Sequence, residues 1–228
     1  MQSTPMNLGT LFETNGIKYK VTKNQLLFAE GDPADMIYFI LSGKVALTKE
    51  TANGRALTLR ICSKNDCIAE GILFTSSSLY PVSAKVLEET FVIGLKKGQL
   101  ERLLAVQPDL LVDCIEWLQI QNMREQSKLR DLLLYGKKGA LYSTLIRLAN
   151  TYGELQSNGQ IEISHLITHG ELATLCATSR EVINRLVQQL KKDHVIQYEQ
   201  NKITILNLHY LRAICECDHC PIFVCQIN

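Results

Sequence analysis

The sequence lacks a long apolar run, a leader-like start and any marked excess of charge. No stretch approaches the roughly 18–20 consecutive apolar residues that a transmembrane helix needs, and the first residues form no basic and apolar leader. Lys and Arg number 24 against 23 Asp and Glu, which excludes a highly basic nucleic-acid coat protein but leaves room for a local basic patch. We therefore expect a cytoplasmic protein of 228 residues without a membrane partner, long enough for one large or two modest domains.

The sequence also lacks histidine before position 165 and cysteine before position 62. All five histidines lie at or beyond His165, which excludes a histidine-ligated metal enzyme in the N-terminal half. Of the eight cysteines, four fall in the last 14 residues, at Cys215, Cys217, Cys220 and Cys225. In a reducing cytoplasm this clustering favours metal or redox chemistry over disulfides. The other four are expected to pack as small apolar side chains: Cys62, Cys67, Cys114 and Cys176.

Short apolar segments between residues 26 and 95 predict antiparallel β-structure in a first domain, residues 1–107. Asn53-Gly54 predicts a type I′ hairpin turn, because both residues tolerate positive φ. Several short strands at a spacing of about 8–12 residues are typical of a sandwich or barrel. The predicted strands are 37–41, 44–48, 56–61, 82–86 and 90–95.

A long helix is predicted over residues 108–136, beginning at Pro108 and ending at Gly136. Its apolar positions follow alternating four- and three-residue steps, a heptad pattern that favours a dimer seam in which Asn122 fixes the register. Packing of the helix on its own β-domain is the alternative for part of this stripe. The predicted interface residues are Leu111, Ile115, Leu118, Asn122, Leu129 and Leu132.

Residues 137–210 predict a winged helix-turn-helix. Thr168 to Glu171 and Thr178 to Glu181 both have the spacing of a capping box, before a short helix and a longer helix over 179–192. Segments 196–198 and 202–205 predict the wing hairpin, and residues 151–160 predict a surface loop.

The second of these helices carries a polar edge suited to a DNA major groove. Arginine can donate two hydrogen bonds to guanine, and glutamate can accept one from cytosine. A solvated helix face, with Glu181 capping its own helix, is the alternative. The predicted DNA-binding residues are Thr178, Ser179, Arg180, Glu181, Asn184 and Arg185.

Two segments resemble the CRP/FNR family of bacterial transcription regulators. Gly31 to Asp35 with Tyr38 to Val45 resembles the family's β-roll, and Leu172 to Val187 resembles its recognition unit. The resemblance covers about residues 20–210. It implies an α+β fold: an N-terminal antiparallel β-roll (a double-stranded β-helix or jelly-roll), a long dimerisation helix and a C-terminal winged helix-turn-helix. It also implies a non-enzymatic homodimer that binds palindromic double-stranded promoter DNA and RNA polymerase.

The resemblance also bears on the DNA site and the signal. Ser179-Arg180-Glu181 with Arg185 looks like the CRP pattern, which implies TGTGA-type rather than TTGAT-type half-sites. Cyclic-nucleotide members carry Gly-Glu and then Arg-Ser/Thr-Ala, whereas this chain has Glu70-Gly71 and Val82-Ser83-Ala84. Without that arginine the cyclic phosphate loses its charged clamp. We therefore expect no cyclic nucleotide.

The extension 211–228 offers three thiolates in the spacing Cys217-x2-Cys220-x4-Cys225, which suits zinc or an iron–sulfur cluster. A C-terminal triplet looks like the Bacillus-type Fnr subgroup. That resemblance implies one [4Fe-4S] cluster per subunit, with Asp131 at the end of the long helix as fourth ligand. Cys215 and His219 are rival fourth ligands, and Asp131 as a surface carboxylate paired with Arg130 or Lys128 is the alternative.

Together these features predict an oxygen-responsive regulator, mainly an activator of anaerobic genes, that binds DNA when its cluster is present. A zinc-stabilised or thiol-switched regulator is the alternative among DNA-binding proteins. A β-barrel metalloenzyme is disfavoured, because no histidine precedes His165.

Overall fold

The computed structural model describes residues 6–54, 56–76, 78–217 and 220–227, with only the backbone of Met6. The N-terminal elements are α1 (Met6–Asn15), β1 (Ile17–Val21), β2 (Leu26–Phe28), β3 (Met36–Ser42), β4 (Val45–Glu50), β5 (Ala56–Cys62), β6 (Cys67–Ile68), a 3-10 helix (Glu70–Ile72), β7 (Ser83–Val86), β8 (Thr90–Lys96) and α2 (Lys97–Ala105). They are followed by α3 (Pro108–Leu134), α4 (Gly136–Tyr152), β9 (Gly153–Leu155), β10 (Ile161–Ile163), α5 (His169–Leu175), α6 (Arg180–Lys192), β11 (Ile196–Glu199), β12 (Lys202–Ile205) and α7 (Leu208–Ile214).

The N-terminal strands form the predicted β-roll. One sheet has the order β1-β8-β3-β6 and the other β2-β7-β4-β5. The pairings β1–β8, β3–β8, β3–β6, β2–β7 and β4–β7 are antiparallel. Apolar side chains from the strands fill the core, and Leu8 and Phe12 of α1 are fully buried in it. The sequence did not predict α1 or β1. The predicted type I′ turn is wrong, because Gly54 takes a φ of 74° while Asn53 keeps a negative φ.

The chain divides into two compact units, and α3 contributes to both. Of the described residues, the first unit takes 6–54 and 59–121, and the second takes 56–58 and 122–227. Helix α3 spans 27 residues, close to its predicted bounds. Leu111 and Leu118 pack partly against the roll core, and Leu132 packs against the core of the second unit. The remaining stripe residues, Ile115, Asn122 and Leu129, are exposed.

The second unit contains the predicted winged helix-turn-helix, with a sheet in the order β11-β12-β10-β9. Strand β9 pairs with β10, so residues 151–160 are not wholly a loop as predicted. The Thr168–Glu171 capping box is present in both directions. The second capping box is wrong, because Ser179 is the N-cap of α6 and accepts a hydrogen bond from the Val182 N–H. Among the described helices, none is long and apolar enough to cross a membrane.

Candidate DNA-binding face and thiol-rich C-terminal site

Helix α6 has one buried and one solvent-facing side. Ile183, Val187 and Leu190 are buried in the core of the second unit. Of the predicted DNA-binding residues, Ser179, Arg180, Glu181, Asn184 and Arg185 are exposed, and Thr178 is half-buried. A hydrogen bond from Ser179 lowers the pKa of Glu181, so this exposed carboxylate is charged and available as an acceptor. The five exposed residues thus lie on the polar side of the helix, as base-contacting side chains must. The prediction for Thr178 is wrong, because its hydroxyl oxygen is buried.

Contacts of Tyr198 in the wing with α5 and α6 hold the wing against the two helices of the helix-turn-helix. The His169 ring stacks on the Tyr198 ring with centroids 4.6 Å apart. Lys191 donates a hydrogen bond of 3.2 Å to the Tyr198 carbonyl, and the Tyr198 hydroxyl donates one of 2.9 Å to the Ile167 carbonyl. Burial, with Arg180 and Lys191 nearby, lowers the pKa of His169. The sequence carried no periodic signal for this His169–Tyr198 stack.

The interior of the β-roll holds a buried ion pair that sequence reasoning missed. The Arg60 guanidinium lies 2.7 Å from a Glu70 carboxylate oxygen and is 5% exposed. Its other hydrogen bonds go to the Cys62 sulfur, the Cys67 carbonyl and the Gln121 side chain, each at 3.0 Å. Each guanidinium nitrogen therefore has an internal acceptor, and the Glu70 charge is compensated inside the roll.

The isolated cysteines pack in the cores, as predicted. Cys62, Cys67, Cys114 and Cys176 are each at most 1% exposed. Burial raises the pKa of Cys62 and of Cys176 to about 12, and it also raises the pKa values of Cys67 and Cys114. These thiols are neutral at physiological pH and poorly suited to metal binding.

The C-terminal cysteines differ in position and charge. Cys215 is fully buried at the end of α7, and its thiol points to the Gly139 carbonyl at 3.6 Å. Cys217 and Cys220 are half-buried, and Cys225 is 5% exposed. A hydrogen bond from the Cys225 thiol, assisted by Arg130 and Arg147, lowers the pKa of Cys217 to about 6. This donor role raises the pKa of Cys225.

The third predicted thiol lies against the end of α3. The Cys220 sulfur is 3.8 Å from a guanidinium nitrogen of Arg130 and 3.9 Å from the Ser127 hydroxyl. The structure therefore gathers the tail thiols near the helix that carries Asp131. His219, a rival ligand, lies outside the described residues.

Asp131 is buried rather than on the surface, with 2% exposure. One carboxylate oxygen lies 2.6 Å from an Arg130 nitrogen, and the other lies 2.6 Å from an Arg147 nitrogen. The alternative interpretation, a surface carboxylate, is therefore wrong about burial but right about the pairing with Arg130. Lys128, the other partner considered, bonds to Glu125 at 3.0 Å. Arg147 had a weak sequence signal, as the one charged residue between Gly139 and Tyr152 of α4.

The donors present fit an iron–sulfur centre in chemical type. Soft thiolates hold such clusters, and one of the three predicted thiols already has a lowered pKa. Within the described ranges, however, no three His, Cys, Asp or Glu side chains are arranged to hold a metal ion. Both Asp131 oxygens are bound by arginines, so a metal at this site would compete with Arg130 or Arg147 for the carboxylate.

The β-roll, the long helix and the winged helix-turn-helix with its exposed polar face on α6 are the architecture of a DNA-binding transcription regulator. Residues 18–107 match the cyclic nucleotide-binding domain family, and residues 139–214 match the Crp-like helix-turn-helix domain family. The chain is 43% identical over 223 residues to the anaerobic regulatory protein of Bacillus subtilis (strain 168), covering 97% of this chain and 93% of that protein. The chain belongs to the CRP/FNR family of transcription regulators, whose members are not enzymes.

More distant relatives agree on the fold. The chain is 27% identical to the CRP-like cAMP-activated global transcriptional regulator of Mycobacterium tuberculosis (strain H37Rv), over 80% of this chain and 81% of that protein. A solved structure of the c-di-GMP responsive global regulator CLP of Xanthomonas campestris superposes with a TM-score of 0.76 at 19% identity. That superposition covers 88% of this chain and 99% of the CLP chain.

Proposed function

We propose that this regulator responds to oxygen and acts mainly as a cytoplasmic activator of anaerobic genes. In this proposal one [4Fe-4S] cluster per subunit is held by Cys217, Cys220 and Cys225, with Asp131 as fourth ligand. The carrying observation is that Arg130 contacts both the Cys220 sulfur, at 3.8 Å, and the buried Asp131 carboxylate, which also binds Arg147. The 43% identical relative, named as an anaerobic regulatory protein, supports the same assignment.

The position of Asp131 suggests a route by which cluster binding would change the affinity for DNA. A bound cluster would supply an oxygen-sensitive link between the tail and α3. Asp131 lies one turn before the Tyr135-Gly136 junction, where α3 gives way to α4 of the DNA-binding domain. Because a ligand shifts an equilibrium only through different affinity for the two states, a bond from Asp131 to a bound cluster would be the contact that makes α3 sensitive to occupancy. The carboxylate is a harder donor than thiolate and would be the most labile of the four ligands.

The exposed face of α6 supports binding to TGTGA-type half-sites. In this proposal Arg180 and Arg185 donate to guanine, Glu181 accepts from cytosine, and Asn184 lies beside them. Two copies would present two such helices to a palindrome, with half-sites about one helical turn apart. The exposed part of the α3 stripe, Ile115, Asn122 and Leu129, supports a homodimer. RNA polymerase is the proposed partner at the promoter.

The roll is proposed not to bind a cyclic nucleotide. Glu70 is occupied by Arg60 at 2.7 Å, and Val82 stands where cyclic-nucleotide members carry arginine. Addition of cyclic AMP should leave the DNA affinity of the purified protein unchanged. A tenfold or larger increase in affinity would contradict this part of the proposal.

A thiol switch is the second candidate, because Cys225 and Cys217 are in hydrogen-bond contact. Oxidation of this pair by molecular oxygen, which takes up the two electrons and two protons that the thiols lose as the disulfide forms, would also alter the tail without any metal. A zinc site held by the same thiolates is the other form of this alternative. Iron and acid-labile sulfide measured after anaerobic purification separate the candidates, since zinc and thiol-switch proteins contain neither iron nor sulfide.

Substitution of Asp131 tests the proposed coupling. Asp131→Ala should leave dimerisation largely intact while the anaerobic DNA affinity no longer follows cluster content. Asp131→Cys should retain the cluster and slow its loss in air, because thiolate is the softer donor. Glu125→Ala is the matched control, since Glu125 lies on the same helix and pairs with Lys128. If Asp131→Ala assembles a normal cluster and binds the promoter as wild type does, the fourth ligand is Cys215 or His219.

A further inference from the structure

The C-terminal segment 221–227, here called the tail segment, is held to α3 and α4 through its main chain. Side chains of the two helices bind successive main-chain groups of the tail segment. The contacts are Arg124 to the Phe223 carbonyl (2.8 Å), Arg147 to the Val224 carbonyl (3.4 Å), Asn150 to the Cys225 carbonyl (2.8 Å) and the Ile227 N–H to the Thr151 hydroxyl (3.0 Å). Such contacts fix the path of the chain whatever its side chains are.

The two arginines are buried, although they are charged. Arg124 and Arg147 are each 2% exposed. A buried charge is stable only with partners, and Arg124 has two on the tail segment, because it also donates to the Gln226 side chain at 2.8 Å. Hydrogen bonds from charged donors are stronger than those between neutral groups. The tail segment therefore completes the surroundings of both guanidinium groups.

Apolar packing acts in the same direction. Val224 is 3% exposed, and Ile227 is 2% exposed. Cys225 and Ile227 belong to the core that also contains Cys176 of α5's C-cap. The tail segment is thus part of the folded second unit by burial as well as by hydrogen bonding.

Arg147 joins the tail segment to the carboxylate of the proposed cluster site. The same guanidinium binds Asp131 at 2.6 Å, the Ser127 hydroxyl at 3.0 Å and the Val224 carbonyl at 3.4 Å. One side chain of α4 therefore fixes a carboxylate of α3 and the main chain next to Cys225.

We propose that Arg124 and Arg147 are positioning residues that latch the tail segment onto α3 and α4 in the metal-free protein. Cys225 is then held in place by the protein fold, and Arg147 binds both the Asp131 carboxylate and the carbonyl of the residue before Cys225. The significance of this latch for sensing rests on the proposed function, but the latch itself is a property of the metal-free protein.

Pulsed alkylation of the metal-free, reduced full-length protein with N-ethylmaleimide tests the latch. Mass spectrometry gives the rate at each cysteine. In the wild type, Cys225 should react at least tenfold more slowly than Cys220. In Arg124→Met, Cys225 should react at least tenfold faster than in the wild type, while Cys176 remains protected and reports that the domain is folded. Arg212→Met, which removes an exposed arginine of α7, should change nothing.

Arg147→Met would leave Asp131 buried with only Arg130 as partner, so it is paired with the double variant Asp131→Asn and Arg147→Met. The double variant should keep Cys176 protected and still expose Cys225. Equal rates at Cys225 and Cys220 in the wild type would overturn the latch, even if every variant unfolded. A slow Cys225 in folded Arg124→Met and in the folded double variant would also overturn it. Absence of iron and sulfide from anaerobic protein with a protected Cys225 would instead refute the proposed function and leave the latch standing.

Discussion

Two regions of this molecule combine arginine, carboxylate and cysteine, and they use them in opposite ways. In the β-roll, Arg60 pairs with Glu70, and the neighbouring thiol of Cys62 is fully buried. In the C-terminal site, Arg130 and Arg147 share Asp131, but they also face half-buried thiols. In the β-roll the charged groups and the thiol are largely buried and paired with one another, whereas the C-terminal site keeps half-buried thiols that solvent can reach.

The pKa values of the thiols differ between the two regions. Burial raises the pKa of Cys62 to about 12, although Arg60 donates to its sulfur. The hydrogen bond from Cys225 lowers the pKa of Cys217 to about 6 at a site that is only half-buried. A nearby arginine therefore does not by itself make a reactive cysteine, and the degree of burial and the remaining partners decide the outcome.

The largest expected effect is loss of iron from the C-terminal site. Serine at Cys217, Cys220 or Cys225 should each reduce iron and sulfide to less than about a tenth of the wild-type content, because a cluster held by two thiolates is open to solvent. Serine at any of the four core cysteines should leave the iron and sulfide contents unchanged. These are Cys62, Cys67, Cys114 and Cys176. Iron retained by Cys220→Ser would remove the triplet from the proposal.

The second effect tests whether the roll pair is structural. Arg60→Met should cost about 3–5 kcal/mol of unfolding free energy, because it leaves Glu70 uncompensated. Lys20→Met is the control, since the Lys20–Glu89 pair is more than half exposed and is worth about 1 kcal/mol or less. Urea unfolding, followed by emission of the single tryptophan, Trp117, measures both. Equal costs for the two variants would contradict the structural role of Arg60.

The third effect concerns base reading by α6. Glu181→Ala or Arg185→Ala should cost about 1–3 kcal/mol on a TGTGA half-site and relax the preference at one base pair. Lys191→Ala should weaken binding to all sequences alike, because Lys191 supports the wing through the Tyr198 carbonyl. A base-substitution series measured by fluorescence anisotropy gives both results. An unchanged guanine preference in Arg180→Ala would show that Arg180 does not read guanine.

The smallest effect is the titration of His169. Burial and the charges of Arg180 and Lys191 lower its pKa below the ordinary value of 6.5. Since the unfolded state binds the proton more tightly, the domain should lose a little stability as the pH falls through about 6.5. NMR titration should show a higher pKa in Arg180→Met than in the wild type. A wild-type pKa above 6.5 would contradict this electrostatic account.

The sequence predicted the elements whose signals are local. The heptad pattern predicted α3, the Thr168–Glu171 spacing predicted the start of α5, and segments 196–198 and 202–205 predicted the wing. The clustering and spacing of the C-terminal cysteines predicted the thiol-rich site. These patterns depend on residues that are close in sequence, so they can be recognised without knowledge of the tertiary fold.

What the sequence did not predict depends on contacts distant along the chain. The pairing of Arg60 with Gln121 joins residues 61 positions apart, and the bond from Arg124 to Phe223 joins residues 99 positions apart. The burial of Asp131 follows from packing of α4 and the tail against α3, and no periodicity records it. Arg147, as the one charged residue between Gly139 and Tyr152, carried a signal that a buried partner was required.

Anaerobic purification followed by slow admission of air tests the central claim most directly. The absorbance spectrum and the affinity for a TGTGA palindrome should be recorded on the same sample. The anaerobic protein should show a broad visible band and contain iron and sulfide in equal amounts, and the band and the DNA affinity should be lost in parallel in air. A colourless anaerobic protein that binds the palindrome equally well before and after air exposure would contradict it.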